Sequence, residues 1–231
     1  MSKYAVISFS GSLPHDQNVA QSFIAGYGDG LSYNDIEITT DDYKYCASRC
    51  IEILIRATTG IYVYQSDAEY YFNKYGILTV MPMGSNDYEE LDSLQSIPKC
   101  IVSTGAGIEN NETGYGNGLE FFDTEQIAED AQHSSYSAGI IAGKLLKIKH
   151  ESDKGWDDVR SAARETASGG GWNKYNGYGK INVSAAIEYL ANGTNINASV
   201  ERSPNEKLEL RQPSGLYHKL KGWKIGRYYQ L

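Results

Sequence analysis

The sequence predicts an α/β fold, a three-layer sandwich in which helices cover both faces of a mostly parallel β-sheet. Two observations carry the prediction. Short apolar or β-branched runs recur along the chain, and segments with helical apolar spacing stand between them. Alternation of this kind makes parallel pairs, because each helix carries the chain back to the edge where the last strand began. The 231 residues, 41% of them hydrophobic, suffice for one substantial core.

Tyr4 to Ser10 centres on Ala5, Val6 and Ile7 and stops at Gly11, as a buried strand does. Leu13 to Leu31 contains Pro14, Gly26, Gly28 and Gly30, and reads as loop with a short helix near Val19 to Ile24. Asp35 to Thr40 alternates and is β-branched, a second strand. Asp41 and Asp42 offer N-cap chemistry to a helix on which Cys46, Ala47, Cys50, Ile51, Leu54 and Ile55 recur, ending near Thr59 and Gly60. Ile61 to Tyr64 reads as a third strand, Asp67 to Lys74 as a helix stopped by Gly76, Ile77 to Met83 as a fourth strand and Lys99 to Thr104 as a fifth.

Glu109 to Asn117 is loop, and Glu120 to Ile127 a short strand and turn. His133 to His150 places Ala138, Ile141, Ala142, Leu145 and Leu146 on a helical period. Gly139 and Gly143, four apart on it, would let that helix lie close against the sheet. Asp157 to Ser168 and Ile181 to Leu190 are further helices. Residues 1–192 make the domain. Residues 193–231 are polar, interrupted by Pro204 and Pro213, and read as an extended C-terminal tail without its own core.

Lys and Arg total 21 against 29 Asp and Glu, a formal charge of -8, which argues against a nucleic-acid partner. No apolar stretch approaches a membrane span, and Tyr4 to Ile7 is too short for a signal peptide's apolar region. The expected location is therefore cytoplasmic, or inside an assembly built there. The sequons at Asn111, Asn182, Asn192 and Asn197 then carry no meaning. Three cysteines, Cys46, Cys50 and Cys100, make no disulfide framework, and no histidine clusters with them, so no metal or other cofactor is expected. Cys46 and Cys50 read as small buried residues. Nineteen tyrosines suit protein-binding surfaces.

His133 to Gly143, HSSYSAGIIAG, resembles the nucleophile signature of the subtilisin-like serine peptidases, Gly-Thr-Ser-x-Ala-x-Pro-x-Val-Ala-Gly. Ser135 takes the nucleophile position. Val159-Arg160 followed by Gly177-Tyr178-Gly179-Lys180-Ile181-Asn182 resembles the family's next helix and its Gly-Tyr-Gly-x-Ile-Asn turn. Upstream, Ile77 to Asn86 resembles the strand ending in Ala-Gly-Asn, which puts Asn86 at the oxyanion position. Ser96 to Ala106 resembles the segment after it. The resemblance implies a subtilisin-like fold and acyl-transfer chemistry at a serine seated in a helix N-terminus.

That chemistry needs an Asp and a His as well. The family's Val-Ala-Val-Ile-Asp-Ser-Gly falls on Ala5 to Gly11, with Ser8 or Phe9 at the aspartate. Its His-Gly-Thr-His-Val-Ala-Gly falls best on Asp42 to Ser48, with Asp42 at the histidine. His15 and His133 are the other candidate bases, and His150 ends its helix too far from Ser135. The expectation is a pseudo-peptidase that binds other proteins through its tail and Tyr-rich surface, within an oligomer or assembly such as a virion. The alternative is an active serine endopeptidase with a degenerate triad.

Overall fold

The computed structural model describes residues 3–40, 43–57, 65–83, 100–105, 115–116, 118–123 and 134–192. Six parallel strands form one sheet: β1 (Ala5–Ser8), β2 (Ile36–Thr39), β3 (Ile53–Arg56), β4 (Leu78–Pro82), β5 (Ile101–Gly105) and β6 (Phe121–Phe122). Their order is β2-β1-β3-β4-β5-β6. The chain therefore builds outward from β1 in one direction and then in the other, and the reversal lies between β1 and β3. Crevices for ligands open beyond the carboxyl ends of strands at such a reversal.

The helices are α1 (Leu13–Tyr27), α2 (Tyr43–Arg49), α3 (Gln65–Tyr75), α4 (Ser134–Ser152), α5 (Trp156–Thr166) and α6 (Val183–Ala191). Ala5, Ile7, Ile53, Ile55, Leu78, Val80 and Val102 pack with α1, α4, α5 and α6 on one face. Val6, Leu54, Met81 and Ile101 pack with Tyr43 and Cys46 of α2 and Ala68 of α3 on the other. The three layers follow from the two-residue period of the strands, which turns alternate side chains to opposite faces.

Two elements differ from the sequence reading. Leu13–Tyr27 is one fifteen-residue helix, not a loop holding a short one. Ser12 stands at its N-cap in extended conformation, Pro14 falls where an N–H is not needed, and Gly28 ends it at φ 84. Gly26 lies inside the helix because α4 approaches there. The helix after Thr40 stops at Arg49, and Ile53–Arg56 is a strand rather than its continuation. Cys50 takes φ 55, Ile51 N–H closes the helix end on Cys46 carbonyl at 3.0 Å, and the apolar run that follows is buried on both faces. An uninterrupted apolar run is compatible with either structure. Cys46 is buried as expected, and Cys50 is exposed. The strand expected at Ile61 to Tyr64, part of the turn after Phe122, and the tail from 193 lie outside the described residues.

The layer carrying α1 and α4 is held by direct backbone contact between the two helices. A Cβ at Gly139 would stand 2.6 Å from the Val19 carbonyl oxygen, and Cβ atoms at Gly143 and Gly26 would press on the Phe23 and Ile140 carbonyls. The glycines thus serve helix-on-helix packing rather than the sheet contact expected for Gly139 and Gly143. At the other side of the fold, the buried Glu120 accepts Arg160 Nε at 3.0 Å and Arg164 Nε at 2.9 Å, tying α5 to the segment before β6. Gly177, at φ 57, sits against the Glu120 carbonyl, where a side chain would collide. Asn182 caps α6 by accepting from Ala185 N–H at 3.1 Å.

Near the amino-terminal ends of the strands, Tyr27 Oη meets His150 Nδ1 at 2.9 Å and His150 Nε2 meets Glu52 Oε1 at 2.9 Å. Lys149 also bonds Glu52. The His150 hydrogen bond, aided by Lys149, lowers the Glu52 carboxyl to about 2 from its usual 4.5, against the opposing effect of burial. A carboxyl depressed by folding stabilises above its unfolded value and loses that contribution as pH falls toward the folded value. Stability should therefore decline between about pH 5 and pH 2 by about 2 kcal/mol through this group, allowing for its partial exposure. Glu52→Gln should flatten that part of a urea-midpoint-against-pH curve. Gly143→Ala should cost about 1–3 kcal/mol by overpacking, read as a lower urea midpoint. Gly155→Ala, whose Cβ would meet nothing within 4 Å, should change it by no more than about 0.5 kcal/mol.

Candidate functional site

Because the α1–α4 seam fixes both helices, their first turns meet beyond the carboxyl ends of the strands. Ser134, Ser135 and Tyr136 open α4 and are all buried, Ser135 to 5% exposure. His15, Asp16 and Asn18 lie in the first two turns of α1. Asn18 Nδ2 donates to Tyr136 Oη at 3.3 Å, and the His15 ring lies 5.6 Å from the Tyr136 ring, centroid to centroid. His15 Nδ1 is 3.2 Å from Asp16 Oδ1 and 3.3 Å from Ser10 Oγ. Asp16 is fully buried, and its second oxygen accepts Ser10 N–H at 3.0 Å. A carboxylate is favoured there by the positive end of the helix dipole.

The first turns of α4 are anchored to the strand ends. Ser137 Oγ donates to the Gly105 carbonyl at 2.6 Å and accepts Asp123 N–H at 3.1 Å. The buried Asp123 pairs with Lys144 Nζ at 2.7 Å. These bonds tie one helical turn to the ends of β5 and β6, so the position of Ser135 does not depend on its own hydroxyl.

Ser135 lies where a helix-borne nucleophile is expected, at the second residue of a nineteen-residue helix. Among the described residues nothing hydrogen-bonds its hydroxyl. Asn86, Asp42 and His133 lie outside the described residues. The helix that Asp42 precedes, α2, packs on the sheet face opposite α4. The helix that packs against α4 is α1. His150 lies with Glu52 and Tyr27 near the amino-terminal strand ends, away from Ser135. A groove of about 590 Å³ in that region is lined by Glu52, Phe72, Tyr75, Lys149 and Trp156 and is also remote from Ser135.

Strand parity resolves the choice between Ser8 and Phe9. Ala5 and Ile7 face α1 and α4, while Val6 faces α2 and α3. Ser8 continues the Val6 side, so Phe9 falls on the side of the serine helix, where its N–H still bonds Thr39 carbonyl at 2.9 Å. Sequence reasoning named His15 as a candidate base but placed it in a loop rather than on a helix. Once Leu13–Tyr27 is a helix, His15-Asp16-Gln17-Asn18-Val19-Ala20 fits His-Gly-Thr-His-Val-Ala, with His15 at the first histidine, the position that Asp42 takes in the alignment on α2, and Asn18 at the second. The Val-Ala pair after it was the available signal, and the glycine-rich context hid it.

The fold is that of subtilisin-like proteases. The psychrophilic subtilisin-like protease Apa1 from the Antarctic psychrotroph Pseudoalteromonas sp. AS-11 superposes with a TM-score of 0.62 at 10% identity, covering 83% of this chain and 94% of that one. The protease domain of PatA gives 0.59 at 12% identity, over 83% and 89% of the two chains. The MycP3 protease of the type VII (ESX-3) secretion system gives 0.54 at 13%, over 80% and 82%. A chain of the periplasmic assembly of the ESX-5 inner membrane complex also gives 0.54, at 10% over 81% and 79%. No family model matches the sequence, and no curated protein matches it.

Proposed function

We propose that this protein is a catalytically inactive subtilisin-like domain used to bind other proteins, as a structural or docking component of a larger assembly. The observation that carries the reading is the Ser135 hydroxyl, which no described residue hydrogen-bonds. His15 stands on the helix facing it, but the ring's Nδ1 lies 3.2 Å from Asp16 Oδ1 and 3.3 Å from Ser10 Oγ, and no hydrogen bond joins the imidazole to Ser135. Acyl transfer needs a base within hydrogen-bond reach of the serine, to take its proton and return it to the leaving group. Phe9, on the same side, has no carboxylate with which to orient a base.

Three further features support a binding role. Tyr33, Tyr70, Tyr75 and Tyr175 are each at least 40% exposed, and exposed tyrosines suit contact surfaces. One protein of similar fold belongs to a periplasmic inner-membrane assembly. Among the described residues no helix is long and apolar enough to cross a membrane, so docking would run through protein contacts. The segment 193–231, with Trp223, Tyr228 and Tyr229 near its end, is the proposed arm.

A second reading, an active endopeptidase, draws on the His15–Asp16 pair, an imidazole with a carboxylate 3.2 Å from one ring nitrogen. Fluorophosphonate labelling at neutral pH separates the two. The inactive reading expects no label on Ser135 in folded wild type, and label in the Phe9→Asp variant, with a rate gain of about 10²-fold or more from a carboxylate placed to orient the imidazole on α1. Wild-type labelling that vanishes in His15→Ala would establish the active reading instead. For the arm, removing residues 200–231 should leave the thermal midpoint of the domain unchanged and reduce self-association or partner capture in sedimentation. Unaltered association would dismiss it.

A further inference from the structure

We propose that the basic aromatic arm of one copy of this chain, Lys219 to Tyr229, docks in the groove at the amino-terminal strand ends of a second copy. The proposal rests on the arm reading above and names the arm's partner and its seat. It starts from the distribution of charge along the sequence. Residues 211–231 hold five Lys and Arg and no Asp or Glu, so all 29 acidic residues lie before them in a chain of formal charge -8. Every copy thus pairs an acidic body with a basic arm, and the arm of one is drawn to the body of another.

The groove, about 590 Å³, lies where the end of α3 meets the end of α4 and the start of α5. Volumes of this order hold a small organic group. Its walls are aromatic: Phe72 and Tyr75 on α3, and Trp156 on α5. Trp156 Nε1 donates to the Gly76 carbonyl at 2.7 Å, so the two walls are fixed to one another before anything binds. Tyr75 is 45% exposed and Phe72 is half-buried, which leaves aromatic surface facing solvent. Asp157 and Asp158, both exposed in the first turn of α5, line the same groove. The one basic lining residue, Lys149, is engaged by Glu52 and lies 5.5 Å from the centre of the Trp156 ring.

The arm carries the complementary order of groups. Trp223 stands between Lys221 and Lys224, and Arg227, Tyr228 and Tyr229 follow. An indole offers the large, rigid apolar area that anchors interfaces, and Trp, Tyr and Arg lead among such anchors. Seating Trp223 against Phe72 and Tyr75 puts a lysine on either side of it to meet Asp157 and Asp158. Ion pairs at an exposed rim add little affinity each, but they steer the encounter and fix its register. Each copy gives one arm and offers one groove, so the contact closes a pair by exchange or continues from copy to copy.

Sedimentation of the full chain over a range of concentrations reads the association. Wild type should form species above the monomer mass, and about 0.5 M salt should weaken them about threefold or more. Trp223→Ala should weaken association about thirtyfold, as loss of an interface anchor does. Asp157→Lys/Asp158→Lys and Lys221→Glu/Lys224→Glu should each weaken it about tenfold or more. One chain carrying all four substitutions should recover to within about threefold of wild type, a rescue that misfolding in either pair would not allow. Asp29→Lys/Glu188→Lys, the same charge change at exposed residues that do not line the groove, should not weaken it. A monomer at every concentration, no rescue in the fourfold variant, or equal loss in Asp29→Lys/Glu188→Lys would each overturn the proposal. If removing residues 200–231 abolishes association while Asp157→Lys/Asp158→Lys does not weaken it, the arm reading stands and this seat is overturned. If the removal changes nothing, the arm reading falls as well.

Discussion

The contact between the backbones of α1 and α4 is the constraint from which the rest of the molecule follows. Gly26, Gly139 and Gly143 remove the side chains that would hold the two helices apart. Once the helices touch, their first turns must meet beyond the strand ends and their last turns must meet at the other side of the sheet. The first meeting produces the Asn18–Tyr136 bond and the tilted ring contact of His15 with Tyr136. The second produces the Tyr27–His150–Glu52 chain. One packing decision thus sets both polar ends of a largely apolar layer.

The same constraint separates architecture from chemistry. Ser137 ties α4 to the ends of β5 and β6 through its own hydroxyl, and the Glu120 clamp with Arg160 and Arg164 fixes α5. None of these bonds involves Ser135. A scaffold supported in this way keeps its shape when the residues that move protons are replaced. The serine helix is thus held in place independently of the chemistry at its first turn.

Much of this was legible in the sequence, and the misses have a common origin. Strands β1, β2, β4 and β5 and the three C-terminal helices show clear periods, and the family signatures after His133 located the serine helix. The α1 helix was hidden because Pro14, Gly26 and Gly28 read as loop punctuation, whereas the fold uses them for a first turn, a helix contact and a cap. The partner that makes Gly26 a packing residue is Ile140, far along the chain, and no local pattern encodes it. The run from Ile51 to Ile55 was ambiguous for a different reason, since burial on both faces erases the alternation that marks a strand. Without α1 the family's histidine pattern fell on the start of α2, whose helix packs on the opposite face; with α1 in place, His15 to Ala20 offers a second match. That His15 stands on the helix facing Ser135 became visible only with the α1–α4 contact.

The glycine seam also bears on how the chain is made. Its two sides are Val19 to Tyr27 and Gly139 to Gly143, so a ribosome must deliver more than half of the polypeptide before the first helix meets its mate. Contacts so distant along the chain carry a large loop-closure entropy and form late. Until then the apolar stripe of Val19, Ala20 and Phe23 lacks its native cover, an opening for chaperone capture or for pairing with the wrong nascent chain.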